Sequence, residues 1–165
     1  MKKLLLVLLM PVMALAADLP DGFQGIPWGA PLATLPDAKK ISETPSYQCY
    51  RSGDGKASVA DTAVSNLRWC FSGDRFYFVQ MEFNDQQSQK KLLAFGKQAW
   101  GEPKIGQRFT ESFVWGGPDA GVYVELEFSK IDNRGTLAFV YLPVYSETQE
   151  AAKRERGKPR MGSGF

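Results

Sequence analysis

Apolar positions along this chain change their period several times, and each change marks an element. Two runs of alternating aromatic, branched and polar residues, near Val64–Phe71 and Arg75–Phe83, flank the turn Ser72-Gly73-Asp74. That pattern predicts a β-hairpin. Ahead of it, "SYQCYR" reads as a strand running into Ser52-Gly53-Asp54-Gly55. Three more strands are expected at Gln107–Trp115, Val122–Lys130 and Thr136–Val144. Between the two groups the period lengthens. Leu92, Phe95 and Ala99 recur at helical spacing, and Leu93 and Trp100 widen the stripe. Asn84 or Asp85 caps the start, Gly101 ends the run and Pro103 forbids its continuation, so the spacing predicts a helix over 86–100. Gly96 is its one weak interior position. Elsewhere Pro31 and Pro36 bracket at most one helical turn, and Ser146 with Gln149 makes a capping box for a short helix.

Strands, one helix, then strands, joined by tight connections, imply an α+β fold. The expectation is a mostly antiparallel sheet of about five to six strands with the main helix on one face. The strand faces sharpen that picture. Val122, Val124, Leu126 and Phe128 point one way and Tyr123, Glu125, Glu127 and Ser129 the other, as in a half-buried strand. Other strands are apolar on both sides. Phe76 and Phe78 are expected to oppose Tyr77, Val79, Met81 and Phe83, and Leu137, Phe139 and Tyr141 to oppose Ala138, Val140 and Leu142. One helix about 22 Å long at 1.5 Å per residue covers a single face. Something else must therefore cover part of the second: another segment of the chain, a partner subunit or a ligand.

The ends alter the charge picture. Lys2 and Lys3, the apolar run Leu4–Leu9 and the site Ala14-Leu15-Ala16 form the three parts of a secretory signal, with cleavage expected after Ala16 and a mature chain from Ala17. The apolar run is too short to span a bilayer, and no other long apolar segment occurs, so a soluble periplasmic or secreted protein is expected. The chain carries 20 Lys+Arg and 18 Asp+Glu, and losing Lys2 and Lys3 leaves 18 against 18. Residues 150–165 hold five basic residues (Lys153, Arg154, Arg156, Lys158, Arg160) against Glu150 and Glu155, a net of +3. The remainder, 17–149, is then 13 against 16, a net of −3. A nucleic-acid-binding body is disfavoured. A single α+β domain over 17–145 is expected, followed by a polar basic tail over 146–165, a short helix and then disorder. The tail suits weak contact with an anionic surface.

Histidine is absent, which removes the usual general base, triad member and metal ligand. With two cysteines a zinc site of ordinary ligands cannot be assembled, and neither a metal nor a cofactor is expected. In an exported chain Cys49 and Cys70 are expected to form a disulfide. A plain meander would put the segment Lys56–Ala60 between their strands, too far for a bridge. Either that segment does not intervene, which its weak strand pattern favours, or the thiols stay free. Glu125 and Glu127, two apart on one strand, suit a solvated face or, in the alternative, a carboxylate pair for glycan hydrolysis. Among 4 Trp, 6 Tyr and 11 Phe, most of which fill a core, Trp28, Trp69 and Trp115 are the candidate binding residues. Trp28 and Trp115 each precede a glycine.

The opening F-x-G-I-P-W-G-x-P-L (Phe23, Gly25, Ile26, Pro27, Trp28, Gly29, Pro31, Leu32), a following hairpin, and F-G-x₄-G-x-P from Phe95 to Pro103 resemble a group of small exported bacterial proteins of unknown function. The resemblance spans most of 23–143. It implies a periplasmic or secreted domain and brings no catalytic residues. The opening stretch itself reads as a plug over one end of the sheet. The expected function is non-enzymatic binding of another protein or an envelope component through an apolar sheet face or edge. A glycan hydrolase or a secreted enzyme inhibitor is the alternative.

Overall fold

A computed structural model describes residues 18–106 and 111–157. The expected signal peptide, the first residues of the strand expected at 107 and the end of the basic tail lie outside the described residues.

The strands are β1 (Gly22–Phe23), β2 (Ile26–Pro27), β3 (Lys39–Glu43), β4 (Gln48–Arg51), β5 (Ala57–Val59), β6 (Thr62–Ser72) and β7 (Arg75–Asn84). Helix α1 (Gln86–Trp100) follows, then β8 (Lys104–Ile105), β9 (Glu111–Gly117), β10 (Val122–Ser129), β11 (Arg134–Tyr141) and helix α2 (Leu142–Gly157). β1 and β2 form a small ribbon of their own. The other nine strands make one sheet in the order β3-β4-β6-β7-β11-β10-β9-β8, with β5 also paired to β6. Every pairing is antiparallel. The α+β class holds. The sheet has more than the expected five to six strands, and a second helix, α2, joins α1 among the described residues. The added strands are short or polar: β3 is exposed at every position, so only its ladder to β4 reveals it.

The β6–β7 turn is Gly73-Asp74, both at positive φ (54° and 62°), a two-residue loop whose twist matches the strands it joins. Asp85 caps α1 by accepting from Ser88 N at 2.8 Å. Leu92 and Gly96 turn inward, on the sheet face that carries Val79, Met81, Phe83, Val124, Leu126, Phe128 and Leu137. The opening stretch covers the rest of this face. Gly29 N donates to Phe76 O and Phe76 N to Ala30 O, Phe23 packs edge-on to Trp69, and Trp28 stacks on Phe76.

Two expectations need correction. The β6–β7 register passes from Phe71↔Phe76 to Cys70↔Phe78, so Tyr77 is an extra residue on its strand. This bulge moves Phe76 to the α1-side core with Val79, Met81 and Phe83, while Tyr77 and Phe78 pack into the smaller cluster around Cys49, Cys70 and Val144. The last strand stops at Tyr141 instead of running to Val144, and α2 begins at once. Pro143 cannot serve a continuing ladder and suits a first helical turn. α2 crosses position 146, where the tail's short helix was expected to begin, having started at Leu142. Val144 and Thr148, one turn apart, are both 3% exposed, and Thr148 Oγ1 donates to Val144 O at 2.7 Å. α2 thus covers part of the second face.

Candidate binding groove on the second sheet face

Antiparallel register places side chains in rows across the sheet. On the second face one row runs Cys49, Cys70, Phe78, Val140, Tyr123 across β4, β6, β7, β11 and β10. The next runs Arg68, Gln80, Ala138, Glu125, Val114. A third, Ser65, Glu82, Thr136, Glu127, Ser112, is polar throughout. The first row is therefore hydrocarbon and sulfur, the second mixed with a cation and an anion near its ends, and the third hydrophilic.

Cys49 and Cys70 sit directly opposite each other and are joined by a disulfide, with Cα atoms 4.0 Å apart. β5 does form a strand, yet it does not intervene. It pairs with Thr62–Val64 at the start of β6 while β4 pairs with Trp69–Phe71, so both lie along the same edge of β6.

Where the first turns of α2 leave the face, a groove of about 610 Å³ opens over the first two rows. Its floor is Phe78, Val140 and the disulfide. Tyr47, Tyr123 and Tyr145 form its rims, and Arg68, Gln80, Glu125 and Gln149 are its main polar groups. Tyr145, on α2, is 39% exposed. Glu125 is half-buried and accepts from Ser112 Oγ at 3.0 Å. Burial pushes the Tyr123 phenol up, aided by the charges of Glu125 and Glu127. Burial raises that of Tyr77 further, with Tyr47 and Tyr145 adding to it. Both phenols stay protonated hydroxyls in neutral solution, able to donate as well as accept. Glu127 lies outside this groove, in a second hollow of about 540 Å³ with Glu82, Asp132 and Arg134. The two glutamates share a face, as their spacing predicts, and line different depressions.

The tryptophans lie elsewhere. Trp69 and Trp115 are core residues, 2% and 3% exposed. Trp115 Nε1 donates to Gly101 O at 2.8 Å, tying β9 to the end of α1. Trp28 is half-buried, with Nε1 donating to Pro20 O at 2.8 Å, and it seals the end of the α1-side core. None of the three lines the groove. The groove residues were within reach of the sequence, since Arg68 and Gln80 break apolar alternation on strands otherwise suited to burial. The bulge at Tyr77 and the early start of α2 concealed that they meet.

Among the described residues no cluster of three His, Cys, Asp or Glu side chains is placed to hold a metal ion. No described helix is long and apolar enough to cross a membrane. Comparison with protein-family models, with curated proteins and with solved structures gives no match to this chain.

Proposed function

We propose that this is an exported, non-enzymatic binding protein that docks another protein over the groove on its second sheet face. The observation that carries this reading is the composition of the groove: an apolar floor, tyrosine rims and a few polar groups, with arginine present and lysine absent. Tyr and Arg are enriched and Lys depleted in protein-binding surfaces, where rigid amphipathic rings supply contact at small entropic cost. The floor is already a complete sheet, its backbone groups used in ladders, so recognition runs through side chains and not through added strand pairing. The Cys49–Cys70 disulfide supports an oxidising compartment, and a chain without histidine supports a binding role over acid–base chemistry.

The test is site-specific photocrosslinking in the organism that makes the protein. A photoreactive residue at Tyr145 should trap a partner that one at Lys130, on a distant hairpin, does not. The purified partner should then lose affinity about tenfold or more for Tyr145→Ala, as interface tyrosines do when truncated. Equal trapping at both positions, or unchanged affinity for Tyr145→Ala, would refute the assignment.

A further inference from the structure

Next to the groove the second face carries cations that make no salt bridge among the described residues. Lys39 pairs with Arg51 across β3 and β4. The β4–β6 ladder matches Cys49 with Cys70 and Tyr50 with Trp69 and ends there, so Arg51 and Arg68 are the residues that flank its last pair. Lys39, Arg51 and Arg68 thus extend the mixed row outward, three positive charges over two strand spacings, or about 10 Å. Among the described residues none of the three takes part in a salt bridge, whereas Lys40, on the same strand as Lys39, is bridged to Glu43 at 3.0 Å. Like charges directly opposite on a sheet repel. The Arg51 stem is also confined: a Cβ on Gly55 would fall 2.9 Å from its Cδ and 3.0 Å from its Nε. That Nε is buried and has no hydrogen-bond partner among the described residues. With its stem held in place, the Arg51 guanidinium stands near a second guanidinium, that of Arg68, with no salt bridge to either among the described residues, a setting complementary to a carboxylate.

We infer that Lys39, Arg51 and Arg68 form an anion subsite that seats an acidic side chain of the partner, while the apolar and aromatic residues of the same segment lie in the groove. This rests on the proposed docking of a protein there. A single carboxylate suits the site better than a long polyanion. Glu82 lies on β7, next to β6, Glu125 lines the same groove as Arg68, and the chain from 17 to 149 has a net charge of −3, so an extended anionic polymer would meet repulsion on leaving the subsite.

The experiment selects from a displayed library of random twelve-residue peptides against the native protein. Selected peptides are expected to share an Asp or Glu set apart from an aromatic or apolar anchor. A synthetic copy of the leading peptide should lose roughly tenfold or more in affinity on Arg68→Gln or Lys39→Gln, both exposed positions that leave the core untouched. Replacing its acid by the amide should cause the same loss, and the two losses should not add. Binding should also weaken with salt in the native protein and much less in Arg68→Gln. Peptides that bind, respond to Tyr145→Ala, and show neither an acidic position nor sensitivity to Arg68→Gln would overturn the subsite and leave the groove standing. A selection yielding no peptide sensitive to Tyr145→Ala would overturn both. Retention on immobilised heparin that Arg68→Gln abolishes, without acidic peptides in the selection, would assign the cations to a polyanion and overturn the inference.

Discussion

Gly96 stands in the middle of α1, where helix propensity alone recommends alanine. Gly96→Ala should add about 1 kcal/mol of stability on that ground. The structure predicts the opposite sign. A Cβ at Gly96 would lie 2.5 Å from Trp115 Cζ2, 2.7 Å from Cη2 and 3.1 Å from Cε2. The indole cannot simply withdraw, because Nε1 is bonded to Gly101 O and the ring packs edge-on against Trp100 with centroids 5.4 Å apart. Overpacking of this kind costs about 1–3 kcal/mol, and losing the indole bond adds about 1 kcal/mol. Set against the propensity gain, the net is a destabilisation of about 1–3 kcal/mol, or a fall in Tm of roughly 2–12 °C for a chain of this size. Thermal and guanidinium unfolding of the purified protein measure it. A double-mutant cycle with Trp115→Phe isolates the cause. The clashing atoms belong to the benzo ring that phenylalanine lacks in that position, so Gly96→Ala should become neutral or favourable in that background. If Gly96→Ala raises the Tm, or if the two substitutions add, the reasoning fails.

Three further outcomes follow from the same packing. Replacing both cysteines of the Cys49–Cys70 bridge, which are 21 positions apart, by alanine should lower stability by about 3 kcal/mol in denaturant unfolding; a loss below about 1 kcal/mol would contradict the chain-entropy account. Trp115→Phe gives up the bond to Gly101 O, whereas Trp69 Nε1 is buried with no partner among the described residues, so Trp115→Phe should cost about 1 kcal/mol more than Trp69→Phe. On the α1 side, the hydrogen bond from Lys130 and then that from Gln89 hold the Glu111 carboxyl below its ordinary value of 4.5. A lowered folded pKa contributes stability that is present above pH 4.5 and is lost as pH falls through the lowered value. The stability gap between the native protein and Glu111→Gln, read by urea unfolding, should therefore be open at neutral pH and close on acidification; a gap that stays constant would refute the pairing.

How much of this was legible in the sequence depends on whether local chemistry or long-range register decides each element. α1 was legible to the residue, because its cap, apolar stripe and terminating glycine are all local. The β6–β7 hairpin was legible for the same reason, its Gly-Asp turn being specific to a two-residue loop. The bulge was not. In Phe76-Tyr77-Phe78 all three residues are aromatic, so any assignment of faces satisfies the apolar pattern, and only pairing with Phe71 and Cys70 decides between them. β3 was not legible either, since a strand exposed on both sides carries no apolar period. The start of α2 had a signal in Pro143, outweighed by the apolar alternation from Thr136 onward. Neither the cation row nor the groove could be read locally, because their members come from β3, β4, β6, β7, β10 and α2 and meet only through register.

Strands apolar on both sides demanded a second cover beyond α1, and α2 supplies only part of one, burying Val144 and Thr148 in its first two turns. The cover ends partway along the row Cys70, Phe78, Val140, Tyr123, and the rows beyond become steadily more polar toward Glu82 and Glu127. A face left open only by insufficient chain length would be expected to stay apolar up to the point where its cover stops. Here the gradient runs from hydrocarbon to tyrosine, then to glutamine, arginine and glutamate, which the proposed docking would use as apolar centre and polar rim. Under the proposed binding role, the open part of the second face is the recognition surface. Substitutions there should alter binding at little cost in stability, while substitutions on the α1 side should do the reverse.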